Sequence, residues 1–188
     1  MQSSYPLALG FGVSLLLLLL ACTSPTGTAQ PAGAATAGDP EAVAARLDSL
    51  ERAIFPDGLT ETVDTALAHP YVRLVEHFAH TFPDHARAPH YLMQGAGLAN
   101  GSEWGNKAIE LWGYVWRRYP DYERAPLAMF YQGFVMDTRY GDYPLATRYY
   151  DRFLEHFPEH ELVEQVRQLR AVSARGGTLP PVPTPPGN

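Results

Sequence analysis

Cysteine is almost absent from this chain: Cys22 is the only one in 188 residues. A lone cysteine excludes an internal disulfide and any zinc site built on several thiolates. Charge is missing from both ends. No Asp, Glu, Lys or Arg stands before Asp39 or after Arg175, so a charged middle is flanked by uncharged segments. A basic excess is missing too: 14 Lys and Arg against 20 Asp and Glu leave a net charge of −6. That balance lacks the electrostatic footprint of a nucleic-acid binder. No G-x-S-x-G elbow, phosphate loop or cofactor fingerprint occurs, so no catalytic residue and no cofactor is expected. The histidines do not pair as ligands. His77 and His80 are three apart, His156 and His160 straddle Pro158, and His85 and His90 stand near a helix start. A helical metal site asks for an i, i+4 pair with a third ligand, so no metal is expected either.

Aromatics, by contrast, are plentiful, with 11 Tyr, 8 Phe and 3 Trp to build a core. They are set out in a repeat. In the stretches 86–120 and 124–158, Gly95 matches Gly133, Ala108 matches Ala146, Trp112 matches Tyr150 and Pro120 matches Pro158. Each copy holds two helical patterns. Tyr91, Met93, Leu98 and Met129, Phe130, Phe134, Val135 lie on the first helices; Ile109, Trp112, Val115 and Leu145, Tyr149, Phe153 recur at i, i+3, i+4 on the second. Asn100-Gly101 and Arg139-Tyr140-Gly141-Asp142 supply turns between them. Pro120 and Pro158 stop the second helices, because proline has no N–H and clashes with the preceding turn. Gly95 and Gly133 each cost ~1 kcal/mol inside a helix, which points to a close neighbour at both places.

This spacing resembles the tetratricopeptide repeat, with Tyr91 and Gly95, then Ala108, Trp112 and Pro120, and their counterparts in the second copy. Gln94 and Gln132 depart from the family's leucine, and Leu98 and Met136 from its tyrosine. The resemblance implies an all-α helix–turn–helix solenoid of about two to three repeats plus a capping helix, spanning residues 41–175. Residues 60–83 read as a degenerate first repeat, in which a short helix follows Thr60, Pro70 begins the second helix and Tyr71 replaces the expected alanine. Residues 161–171 read as the capping helix. The stretch 141–166 is similar to terminal repeats of tetratricopeptide lipoproteins of Gram-negative bacteria.

The amino-terminal segment agrees with that comparison. Residues 1–21 carry an apolar run with six consecutive leucines, Leu15 to Leu20, as in a signal peptide. It closes on Leu19-Leu20-Ala21-Cys22, which resembles the bacterial lipobox and implies lipidation of Cys22. Residues 1–6 lack the usual Lys or Arg. Two or more acyl chains on one residue anchor stably. Thr23, a non-acidic follower, is compatible with the outer membrane facing the periplasm. Residues 22–40 form a Thr, Ala, Gly and Pro linker without hydrophobic pattern, and Asp39-Pro40 then opens a helix with Val43, Leu47, Leu50 and Ile54 on one stripe. Residues 176–188 are a Pro-rich tail, either a plain extended segment or a polyproline ligand.

In tetratricopeptide arrays the first helices line the concave face. Alignment on the glycines assigns that face to Leu92, Ala96 and Asn100, and to Leu127, Phe130, Phe134 and Asp137. None of these is Lys or Arg, so a ligand's terminal carboxylate is not expected to be clamped there. Phe130 and Phe134 offer either an aromatic ledge to an apolar partner segment or simple core packing. The function these features imply is a lipid-anchored scaffold for protein–protein interaction in the cell envelope. The alternatives are a structural subunit of an envelope complex, such as one for outer-membrane protein assembly, and more distantly a metal-binding or enzymatic protein using the histidines.

Overall fold

Asp39 caps the first described helix. Its carboxylate accepts the Glu41 N–H at 3.0 Å, and Pro40 follows at the first helical position, where a missing donor costs nothing. The computed structural model describes residues 38–56 and 65–177. Among them the chain is all-helical, with α1 (Pro40–Ile54), α2 (Thr65–Thr81), α3 (Ala88–Gly101), α4 (Gly105–Arg118), α5 (Ala125–Thr138), α6 (Tyr143–His156) and α7 (Val163–Ser173). The signal segment, Cys22, most of the linker, the stretch after Thr60 and the tail beyond Gly177 lie outside the described residues.

The helices stack in two layers, an arrangement compatible with a tetratricopeptide-like solenoid. Helices α1, α3, α5 and α7 form one layer. Arg87, Tyr91 and Gln94 of the α3 side bond to Asp48 and Glu51 of α1, and Ser173 of α7 bonds to Asp137 of α5. Helices α2, α4 and α6 form the other, joined by Lys107 to Glu76 at 2.9 Å and by the Trp116–His156 ring contact.

Three matching aromatic-proline linkers set the repeat. Phe82-Pro83-Asp84-His85, Tyr119-Pro120-Asp121-Tyr122 and Phe157-Pro158-Glu159-His160 each follow a second-layer helix. The aromatic N–H still donates into the helix, to the carbonyls of Phe78, Val115 and Phe153. The next proline then bars helical backbone. The fourth linker residue donates back to the aromatic carbonyl at 3.0–3.1 Å, and its own carbonyl receives the N–H of Ala88, Ala125 or Val163. One turn geometry is used three times. It also explains why α7 starts two residues later than the expected capping helix: residues 160–162 belong to the turn.

Pro70 corrects the sequence reading. It does not begin a helix but lies inside α2. The turn before it is held by burial, since Ala68 is fully buried and Leu67 packs on the core, while Pro70 itself is exposed. The partner of α2 on its amino-terminal side is α1. Tyr71 fills the space between them, fully buried, with its hydroxyl donating to Glu51 at 3.3 Å.

Small residues stand where helices approach. Ala108 and Ala146 are fully buried. A Cβ on Gly133 would lie 2.9 Å from Tyr150 and 3.0 Å from Tyr149, both on α6, whereas one on Gly95 would lie 3.3 Å from Val75 on α2. The core divides at α5. Ala128 and Val135 pack with α1–α4, whereas Met129 and Phe130 pack with α6 and α7. Between the two clusters sits buried Gln132. Its amide donates to the Ile109 carbonyl at 2.7 Å and its oxygen accepts Trp116 Nε1–H at 2.8 Å.

Candidate functional site

Where α3 and α5 lie side by side, they leave a shallow groove of ≈ 270 Å³. Gln94, Gly97 and Asn100 supply one wall, Tyr131 and Phe134 the other, with Trp112 beneath and Arg124 at one end. The spacing follows from the helix: residues three or four apart recur on one face. Gly97 keeps the wall low, as a Cβ there would meet open space. Phe134 is 38% exposed and stacks on Phe130 with ring centroids 5.6 Å apart. Tyr131 is half-buried against Trp112.

Of the residues assigned to this face by alignment, Phe134 and Asn100 line the groove. The others do not. Leu92 and Ala96 are core residues, 1% and 0% exposed. Phe130 is 7% exposed in the α5–α7 cluster, and Leu127 packs against the larger core. Phe130 is therefore core packing, whereas Phe134 is left exposed. Asp137 is tied up as an acceptor for Tyr150 Oη–H at 3.1 Å and Ser173 Oγ–H at 2.9 Å, which joins α5, α6 and α7. Arg124 in the lining also corrects the expectation of no basic group at this face.

Gln94, Gly97 and Tyr131 are among the groove residues missed by alignment. Helix α3 is pressed by α2 on one side and α4 on the other, so it is apolar nearly all round. Its apolar positions cannot mark the open face. The signal lies in the exceptions: His90, Gln94, Gly97 and Asn100 recur at helical spacing along the one uncovered stripe.

A second, polar cleft of ≈ 690 Å³ lies between α1 and α3, lined by Asp48, Glu51, Arg52, Phe55, His90 and Gln94. Its carboxylates are already engaged. Asp48 accepts Tyr91 Oη–H at 2.6 Å and Arg87 Nη1–H at 2.8 Å, while Glu51 accepts Gln94 Nε2–H at 2.9 Å. Burial, reinforced by Asp48, pushes the Tyr91 hydroxyl well above its ordinary value. In the first turn of α1, the hydrogen bond with His85 and the neighbouring Arg87 hold Glu41 below the usual carboxylate range.

Two of the histidines sit in turns. His85 and His160 occupy the same linker position, where Nδ1 accepts the N–H two residues on at 3.2 and 3.1 Å. Each ring stands edge-on to the aromatic of the preceding helix, Phe78 or Phe153. Among the described residues no group of three His, Cys, Asp or Glu side chains is placed to hold a metal. No described helix is long and apolar enough to cross a membrane. No family model, curated protein or solved structure matches the chain.

Proposed function

We propose that this chain is a tetratricopeptide-like scaffold of the bacterial cell envelope, held to the outer membrane by lipid on Cys22 and presenting the α3–α5 groove to a protein partner in the periplasm. The observation that carries the interaction reading is Phe134. It is a large apolar ring left exposed beside Tyr131 and Asn100, on a face built from two stacked repeats. Aromatic side chains in shallow, rigid clefts are the anchors around which protein–protein contacts concentrate. The membrane reading is supported by the leucine run that closes on Leu19-Leu20-Ala21-Cys22.

Two measurements test it. Intact mass of protein from a bacterial membrane fraction is expected to show a chain beginning at an acylated Cys22, and Cys22→Ser to release it from the membrane. An unchanged mass and membrane association in that variant would exclude lipidation. For the groove, Phe134→Arg is expected to keep the helical signal and melting temperature while losing partners recovered by crosslinking in the envelope. Recovery of every partner by a folded Phe134→Arg protein excludes the groove as the binding face.

A further inference from the structure

We propose that the proline-rich segment Leu179–Pro186 of this same chain is an occupant of the α3–α5 groove, held there in competition with the external partner. The inference rests on the groove reading above and names a regulator for that site.

The first argument is chemical. Leu179-Pro180-Pro181-Val182-Pro183-Thr184-Pro185-Pro186 has an N–H on only three residues, Leu179, Val182 and Thr184. Such a sequence favours the polyproline II helix, which has no internal hydrogen bonds and leaves its carbonyls in need of outside donors. Segments of this kind dock on aromatic-lined grooves furnished with a few donors. The α3–α5 groove has that composition. Tyr131 and Phe134 lie on successive turns over Trp112. The Tyr131 hydroxyl and the Asn100 side-chain amide make no hydrogen bond among the described residues, so both are available to carbonyls.

The second argument is reach. Ser173 near the end of α7 is pinned to Asp137 near the end of α5, and Phe134 lies one turn back along α5. Gly176 and Gly177 follow with φ of +74° and +76°, a left-handed pair that ends the helix and turns the chain. Gly177 lies against the Tyr143 ring, beside the α5–α6 turn. The described chain therefore ends beside the carboxyl end of α5, the helix that forms one wall of the groove. From Asp137 back to Arg124 is about 20 Å along a helix rising 1.5 Å per residue. Residues 178–186 cover roughly 28 Å at 3.1 Å per residue.

The third argument selects between the two clefts. Residues 176–188 carry no charged side chain. The α1–α3 cleft is lined by Asp48, Glu51, Arg52 and His90, charged and polar groups whose desolvation an uncharged, donor-poor segment does not offset. The α3–α5 groove asks for none beyond Arg124. A tethered segment works at an effective concentration on the order of millimolar, so even a weak site is occupied until a tighter partner displaces it.

The test compares the full chain with a variant in which Pro180, Pro181, Pro183, Pro185 and Pro186 are all serine. It follows the Asn100 side-chain amide and the Tyr131 and Phe134 ring signals by nuclear magnetic resonance. These signals are expected to differ between the two proteins, independently of protein concentration. The synthetic peptide LPPVPTPP is expected to return the variant's signals to the wild-type positions, binding the variant about tenfold more tightly than the wild type. Adding Phe134→Arg to the variant is expected to abolish that response. Identical groove signals in both proteins overturn the proposal, as does equal peptide binding by both. A difference that vanishes on dilution assigns the contact to a second copy and also overturns it. None of these outcomes touches the groove reading, which falls only if folded Phe134→Arg retains every envelope partner.

Discussion

Gln132 stands where the repeat pattern prefers leucine, and its amide is held at both ends inside the molecule. Burying an amide is tolerable only when its hydrogen bonds are met, and here Trp116 and the Ile109 carbonyl meet them. Gln132→Leu strips Trp116 Nε1–H of its acceptor and is expected to cost ~1–3 kcal/mol in urea unfolding. The two aligned glycines are expected to differ under the same substitution. Gly133→Ala drives a methyl into Tyr149 and Tyr150 and is expected to destabilise by ~1–3 kcal/mol. Gly95→Ala meets only a tight contact with Val75, which the gain of ~1 kcal/mol in helix propensity offsets, so near-neutrality is expected. Equal losses in both melting curves would refute this account of the glycines.

At the scale of the element, α5 has three faces with separate duties. Ala128 and Val135 serve one core cluster, Met129 and Phe130 the other, and Tyr131 with Phe134 faces the groove. Phe130→Ala removes a buried ring and is expected to cost ~3–5 kcal/mol. Phe134→Ala, one turn away, removes a ring that is 38% exposed and is expected to cost under ~1 kcal/mol. The contrast is read directly from thermal melts of the two variants. Trp112→Ala belongs with Phe130, since it is 3% exposed and floors the groove besides. Fold and site share that residue, so it cannot serve to test binding.

At the scale of the molecule, buried tyrosines set the response to alkali. Burial pushes Tyr119 up to about 12, and Tyr71, Tyr91 and Tyr150 are raised further by burial and by the carboxylates they donate to. The unfolded chain gives up these protons near the ordinary tyrosine value of about 10. Their contribution to stability is therefore complete below pH ~10 and is lost as the pH climbs through 12. Melting temperature is expected to be flat from pH ~8 to ~10 and to fall steeply above it, with Tyr150→Phe softening the fall. The divided core has a consequence too. Repeats lean mainly on their neighbours, so Val166→Ala in the α5–α7 cluster is expected to speed hydrogen exchange in α6 and α7 and leave α2–α4 protected.

The helical class, the repeat, the aromatic-proline stops and the Asp39-Pro40 start were all determined by local sequence, because each depends on spacing or on proline's missing N–H. What lies on the open face was not. Leu92 and Ala96 look like groove residues by register, yet α2 and α4 press α3 from both sides and turn those positions inward. Asp137 looks like a ligand contact until α6 and α7 arrive to claim it. Pro70 looks like a helix start, and burial of Ala68 overrides it. Local chemistry decided where most of the helices begin and end, the start of α2 excepted. Only packing against neighbours decided which of their faces remained for a partner, because exposure is a property of what surrounds a residue and is not encoded at the residue itself.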